Sequence, residues 1–220
     1  MPSAILIVAS TRAHADTQEI LRIQDTVNAL LDLGNAVDVL VPRVSPLLSA
    51  ALAPAARVFR ILNVPGCENP PDRPSLRRFV TAVLMFFRGY ALASRREYDV
   101  LHGINDGAIV ARLLKRTFVR SHPYVAEFHT PFSTPCFFRG PRAALARALE
   151  RNAFRHADAV ILPDAETHAR FGPGLPRARV TLIPDPHVEL APENFTYGEF
   201  STAVEHVYAY VQRPRAERRT

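Results

Sequence analysis

The sequence predicts an α/β domain built on a single doubly wound parallel sheet of about seven strands. Three observations carry this expectation. Short, continuous apolar runs recur along the 220 residues, as strands buried on both faces require. Between them lie longer segments whose apolar residues return at helical spacing. The first strand, helix and second strand are joined by short connections, which implies parallel strands and a right-handed crossover.

Taken in order, Ala4–Ser10 is an apolar first strand. Asp16 offers a cap to the helix that follows, with Glu19 at the capping-box spacing. Ile20, Ile23, Val27, Leu30 and Leu31 form one stripe of that helix, and Gly34 stops it where a left-handed residue is wanted. Ala36–Val41 is the second strand and Arg57–Leu62 a weaker third, followed by a Pro-rich loop, Pro65–Pro74. Ser75–Ser94 reads as a long apolar helix, Tyr98–Ile104 as a strand and Gly107–Arg116 as its helix. Tyr124–His129 is the next strand, and Pro141–Arg155 a helix with proline near its first turn. Ala159–Pro163 and Val180–Pro184 are the last two strands. Phe200, Val204, Val207, Tyr208 and Val211 share one face of a closing helix.

Composition narrows the function classes. The apolar share of 48 % is that of an ordinary globular protein. The net charge of +6 comes almost wholly from arginine and favours anionic partners. No arginine cluster interleaves with aromatics and no nucleic-acid-binding signature appears, so nucleic acid is not an expected partner. Cys67 and Cys136 are far apart and read as free thiols of a reducing compartment. Ala4–Ala9 is too short for a signal peptide, and no segment reaches the ~20 apolar residues of a membrane span. The expected location is cytoplasmic. His156 and His168 lack partners at zinc-ligand spacing, and neither a dinucleotide fingerprint nor a Walker loop follows the first strand. No metal and no cofactor is therefore expected.

In an open parallel sheet, ligands bind beyond the carboxyl ends of the strands. The polar residues at those ends are Ser10, Thr11 and Arg12, then Asn105 and Asp106, then His129 and Thr130, then Asp164 and Glu166. His, Arg, Asp and hydroxyl groups on one rim suit a polyhydroxylated or phosphorylated ligand. Asp16 and Asp164 can equally be plain helix caps.

Five stretches resemble family-4-like glycosyltransferases, which have the two-domain GT-B fold. They are Ile23–Val41, Tyr98-Asp99-Val100-Leu101-His102, Glu127-Phe128-His129-Thr130-Pro131, Glu150–Pro186 with Asp164 and Glu166, and Phe195–Val211. The resemblance implies a Rossmann-like domain corresponding to the N-terminal half of such an enzyme. It also implies that His129 is the catalytic candidate, projecting into the cleft beside an acceptor. A neutral imidazole there can exchange a hydrogen bond with a sugar hydroxyl; the other reading is a cleft-lining histidine satisfied by backbone. Thr11, Arg12, Asn105, Asp106, Thr130, Asp164 and Glu166 are the substrate-binding candidates, with His14 and Arg139 as weaker ones. His102, inside a strand, reads as structural.

Two departures from the family matter. Its Gly-Gly loop after the first strand is replaced by Thr11-Arg12-Ala13-His14, and its pair of glutamates seven residues apart is absent. The expected layout is an acceptor-type domain over 1–188, a linker over 189–197, a helix over 198–212 that packs back, and a frayed tail over 213–220. The function this implies is an acceptor-binding domain for a sugar or lipid-linked acceptor that needs a separate donor-binding partner. The alternative is a catalytically inactive relative serving as a binding or scaffold module. Phe79–Phe87, flanked by Arg77, Arg78, Arg88, Arg95 and Arg96, could lie peripherally on the inner face of a membrane or be buried against the sheet with its arginine stems over the rim.

Overall fold

A computed structural model describes residues 2–10, 17–42, 56–62, 76–117, 122–129, 141–171, 180–184 and 195–213. Seven strands appear among them: β1 Ala4–Ala9, β2 Ala36–Val41, β3 Arg57–Arg60, β4 Val100–Ile104, β5 Tyr124–Glu127, β6 Ala159–Leu162 and β7 Val180–Leu182. They form one sheet in the order β3-β2-β1-β4-β5-β6-β7, and every neighbouring pair is parallel. The strand order reverses between β1 and β4, which places a crevice at their carboxyl ends.

Six helices flank the sheet among the described residues: α1 Thr17–Asp32, α2 Leu76–Ala93, α3 Gly107–Thr117, α4 Pro141–Arg155, α5 Ala165–Phe171 and α6 Tyr197–Gln212. The alternation along each strand sorts the core into two layers. Ile5, Ile7 and Ala9 of β1 face α1 and α6 on one side, packed with Ile23, Val27, Phe200 and Val204. Leu6 and Val8 face the other side, with Met85 of α2, Leu114 of α3 and Phe154 of α4.

Local chemistry explains where the elements stop. Gly34 has φ 76°. Its N–H donates to the Leu31 carbonyl at 2.8 Å while Asn35 N–H reaches Leu30 at 3.2 Å, the doubled closure of a Schellman motif. α6 opens with a capping box: Glu199 N–H donates to Thr196 Oγ1 at 3.3 Å, and Thr196 N–H to Glu199 Oε2 at 2.8 Å. The five residues expected on its apolar face, from Phe200 to Val211, are the five it buries. At Gly107 a Cβ would stand 1.9 Å from the Val8 carbonyl oxygen, so only glycine lets α3 begin this close to β1.

The expected elements correspond to the observed ones, with strand ends drawn in by one or two residues. Phe128 N–H makes the last ladder bond of β5, to Ile161 of β6, and the next N–H, that of His129, goes instead to the Asn105 side chain. The short helix α5 adds one element to the expected order. The Pro65–Pro74 loop, both cysteines, Asp16, most of the expected linker and nearly all of the frayed tail lie outside the described residues. α2 buries Thr81, Met85 and Leu92 yet leaves Phe79 and Phe87 more than half exposed. No helix among the described residues is long and apolar enough to cross a membrane.

Candidate functional site

The carboxyl end of β5 carries the most unusual chemistry among the described residues. Glu127 is a charged side chain on a central strand, 1 % exposed. A carboxylate so placed must be compensated, and three cations or potential cations converge on it. Arg22 of α1, itself fully buried, donates Nε to Oε1 at 3.0 Å. His129 donates Nε2 to the same oxygen at 2.8 Å. His102, one strand over on β4, brings Nε2 to 3.1 Å from Oε2, at too oblique an angle for a regular hydrogen bond. Burial alone would raise the Glu127 carboxyl. The charge of His129, the contacts of both histidines and the charge of Arg22 overcome it and hold the group well below the ordinary carboxylate range.

Each partner is held in turn. Arg22 donates Nη1 to the Pro184 carbonyl at 2.6 Å and Nη2 to Ile183 at 3.0 Å. Its guanidinium carbon lies 4.5 Å from the centre of the Phe200 ring of α6. One side chain thereby ties α1, β5, the end of β7 and α6. His102 Nδ1 meets the Tyr208 hydroxyl of α6 at 2.7 Å. Burial, and then the nearby Glu127 charge, push the Tyr208 phenol well above its usual range, so it stays protonated.

The rim beside this cluster is shaped by Asn105. It has φ 53°, a left-handed conformation that asparagine tolerates better than most residues. Its N–H donates to the Glu127 carbonyl at 2.8 Å, and its side-chain oxygen accepts from His129 N–H at 2.9 Å. The turn after β4 and the end of β5 are thus joined at the crevice.

The candidate residues fall into three groups. His129 and Asn105 are in direct contact on the rim, and Asp106 follows Asn105, ion-paired to Arg78 of α2. Asp164 stands after β6 with both oxygens engaged by its own helix: Oδ1 accepts from Thr167 N–H at 2.6 Å and Oδ2 from Thr167 Oγ1 at 2.9 Å. That is helix-cap geometry, the plainer of its two readings. Glu166 is exposed in the first turn of α5. Thr11, Arg12, Thr130, His14 and Arg139 lie outside the described residues. No group of three or more His, Cys, Asp or Glu among the described residues is arranged to hold a metal ion.

Four residues of the centre had no site role assigned from sequence: Arg22, His102, Glu127 and Tyr208. The available signal was a glutamate inside an apolar strand, Tyr-Val-Ala-Glu-Phe. A charge there needs a partner, and Arg22 sits off the stripe that the helical spacing marks as buried.

Comparison with known proteins follows this geometry. A family model described as Glycosyltransferase Family 4 matches residues 22–186. A sucrose-phosphate synthase structure from Thermosynechococcus elongatus superposes with TM-score 0.63 and 16 % identity, over 94 % of this chain and 98 % of that one. A longer structure of sucrose-phosphate synthase from that organism gives TM-score 0.61 and 17 % identity, over 82 % of this chain and 48 % of that one. UGT89C1 of Arabidopsis thaliana complexed with UDP gives 0.58 and 13 %, over 94 % and 57 %. No curated protein sequence matches. At these identities the likeness is one of fold: the sheet and its helices are those of one half of a GT-B glycosyltransferase. The chain spans about half the length of the latter two structures.

The centre predicts a measurable asymmetry. Glu127→Gln strands the buried Arg22 charge and should cost about 3–5 kcal/mol in urea unfolding. Arg22→Met combined with Glu127→Gln should recover much of that loss, because no uncompensated charge remains. Additive losses in the double variant would show that the two side chains are not coupled.

Proposed function

Because the chain belongs to glycosyltransferase family 4, we propose that it is the acceptor-binding half of a sugar-transfer enzyme and works with a separate donor-binding partner. The observation that carries this reading is the rim at β4 and β5. There His129 is held by Glu127 from below and by Asn105 at its backbone. A histidine fixed at the mouth of a switch-point crevice suits the positioning of a hydroxyl group for attack, and positioning is a large part of such a catalyst's work. Asn105, Asp106, Thr11, Arg12, Thr130, Asp164 and Glu166 border the same rim in this reading.

The acceptor in this reading is a sugar or a lipid-linked sugar, met in the cytoplasm at the inner face of a membrane. Phe79 and Phe87 of α2 are 66 % and 62 % exposed, and Arg77 in the first turn of the helix is exposed too. Outward aromatics with arginine suit an anionic lipid surface.

The second reading is a catalytically inactive relative that serves as a binding or scaffold module. It is favoured by α6, which covers α1 and one face of the sheet with side chains of this chain alone.

One experiment separates these readings and a second tests the membrane contact. In the first, nucleotide sugar is titrated calorimetrically into the chain and turnover is then followed with candidate donor-domain proteins added. Transfer should appear only in the mixture, and His129→Ala should lower it at least about 100-fold. Unchanged turnover would remove His129 from the site, and silence in every mixture would leave the scaffold reading. The second is co-sedimentation with anionic phospholipid vesicles. Phe79→Ser combined with Phe87→Ser should reduce binding several-fold while leaving stability within about 1 kcal/mol, as for exposed positions. Equal binding of variant and parent would refute the membrane contact.

A further inference from the structure

Asp38 of β2 has more cationic partners than its single charge needs. It is 1 % exposed, near the amino ends of the strands, and three side chains converge on it. Arg57, the first residue of the edge strand β3, donates Nε to Oδ1 at 2.8 Å and Nη2 to Oδ2 at 3.1 Å. Arg96 shares Nη1 between the same two oxygens at 3.2 and 3.1 Å. The Tyr98 hydroxyl donates to Oδ2 at 2.7 Å. Burial, then the hydrogen bond and charge of Asp38, push the Tyr98 phenol well above its usual range, so it stays neutral. Arginine keeps its charge at any working pH. One negative charge therefore faces two positive ones, and the roughly four acceptor positions of the carboxylate are all in use.

The remaining donors are held ready for another acceptor. Arg57 Nη1 and Arg96 Nε and Nη2 have no hydrogen-bond partner among the described residues, on side chains 60 % and 32 % exposed. A third arginine stands beside them. Phe59 follows Arg57 by two residues and so shares its face of β3, and the guanidinium carbon of Arg88 lies 5.9 Å from the centre of the Phe59 ring. Arg88 Nε is buried with no partner among the described residues, and a donor in that condition favours an incoming acceptor. Arg96 N–H still donates to the Leu92 carbonyl at 3.0 Å, so Arg88 and Arg96 follow one side of α2 into its last turn. The nearby carboxylates are Glu97, which is exposed, and Asp99, whose Oδ2 accepts the Ala4 N–H at 2.7 Å. We infer that Arg57, Arg88 and Arg96 form an oxyanion site at the amino end of the sheet, organised by Asp38, and that its ligand is a phosphate group, free or carried by a lipid. Guanidinium forks meet phosphate oxygens in pairs, and side chains already fixed by Asp38 lose little freedom on binding. The site lies at the opposite end of the strands from the crevice, so its test is independent of the sugar-transfer reading.

The test is a titration of the full chain with inorganic phosphate, followed by NMR at constant ionic strength with chloride as the reference salt. The backbone amide signals of Arg57, Arg88, Arg96 and Tyr98 should move along saturating curves with phosphate and not with chloride. Arg96→Gln leaves Asp38 its bonds to Arg57 and Tyr98, so the fold should hold while phosphate binds at least about tenfold more weakly. Arg155→Gln makes the same change of charge at an exposed position of α4 and should leave the affinity unchanged. If Arg96→Gln does not fold, Arg88→Gln takes its place with the same expectation. Vesicles of phosphatidylcholine containing phosphatidic acid distinguish the two sources of phosphate. With a lipid headgroup as ligand, Arg96→Gln should lose vesicle binding that Arg155→Gln keeps; with free phosphate as ligand, the two variants should bind vesicles alike. Phosphate affinity equal in Arg96→Gln and the parent would overturn the proposal. So would phosphate shifts that never saturate together with equal vesicle binding by the two variants.

Discussion

A single buried carboxylate sets the terms for this domain. Glu127 lies on a central strand with essentially no solvent contact, where an uncompensated charge would cost several kcal/mol. The fold meets that cost by convergence. Arg22 comes from α1, His102 from β4 and His129 from the rim. Burial pushes the carboxyl towards protonation, and the three partners together win, holding it ionised. Because Arg22 also caps the carbonyls of Ile183 and Pro184 and lies against Phe200, the same charge orders the end of β7 and the seat of α6. Structure and site are therefore one arrangement: the group that secures the C-terminal helix also orients the rim histidine.

Much of the fold was legible in sequence because it depends on periodicity. Continuous apolar runs marked the strands, and one-sided spacing marked Ile23, Val27, Leu30 and the five buried residues of α6. The site was legible only at its surface. His129, Asn105 and Asp106 follow from strand ends, but what holds them does not. Arg22 lies off the apolar stripe of α1, next to Thr26 and Ala29; all three are buried, Arg22 by reaching Glu127, the end of β7 and Phe200 of α6. Long-range packing of this kind leaves no period in a single helix. The contact of Tyr208 with His102 spans 106 positions, and nothing local announces it. The left-handed Asn105 is likewise set by its bonds to β5 rather than by its neighbours in sequence.

Another buried carboxylate, Asp38 on β2, shows why Glu127 is notable. It is held by Arg57 at 2.8 and 3.1 Å, by Arg96 at 3.1 Å and by the Tyr98 hydroxyl at 2.7 Å. Its partners come from β3 and from the segment leading into β4, with no histidine and no rim residue among them. Asp38 ties an edge of the sheet; Glu127 ties the sheet to the crevice. Membership of glycosyltransferase family 4 and the half-enzyme fold give that crevice its context. The chemistry proposed for it rests on the Glu127 centre and not on the fold, which many unrelated activities can share.

If Glu127 is the fixed point, its carboxyl carbon should report it directly. Following that carbon by NMR through an acid titration, the group should remain ionised well below its usual value of 4.5. The sign for stability follows. A depressed folded-state value contributes stability that is fully present above the unfolded value and is lost as pH falls through the folded one. Protonation should therefore coincide with loosening of α6 and of the Arg22 contacts. A Glu127 carboxyl that titrates at or above its usual value, with the fold intact, would contradict the central role given to it here.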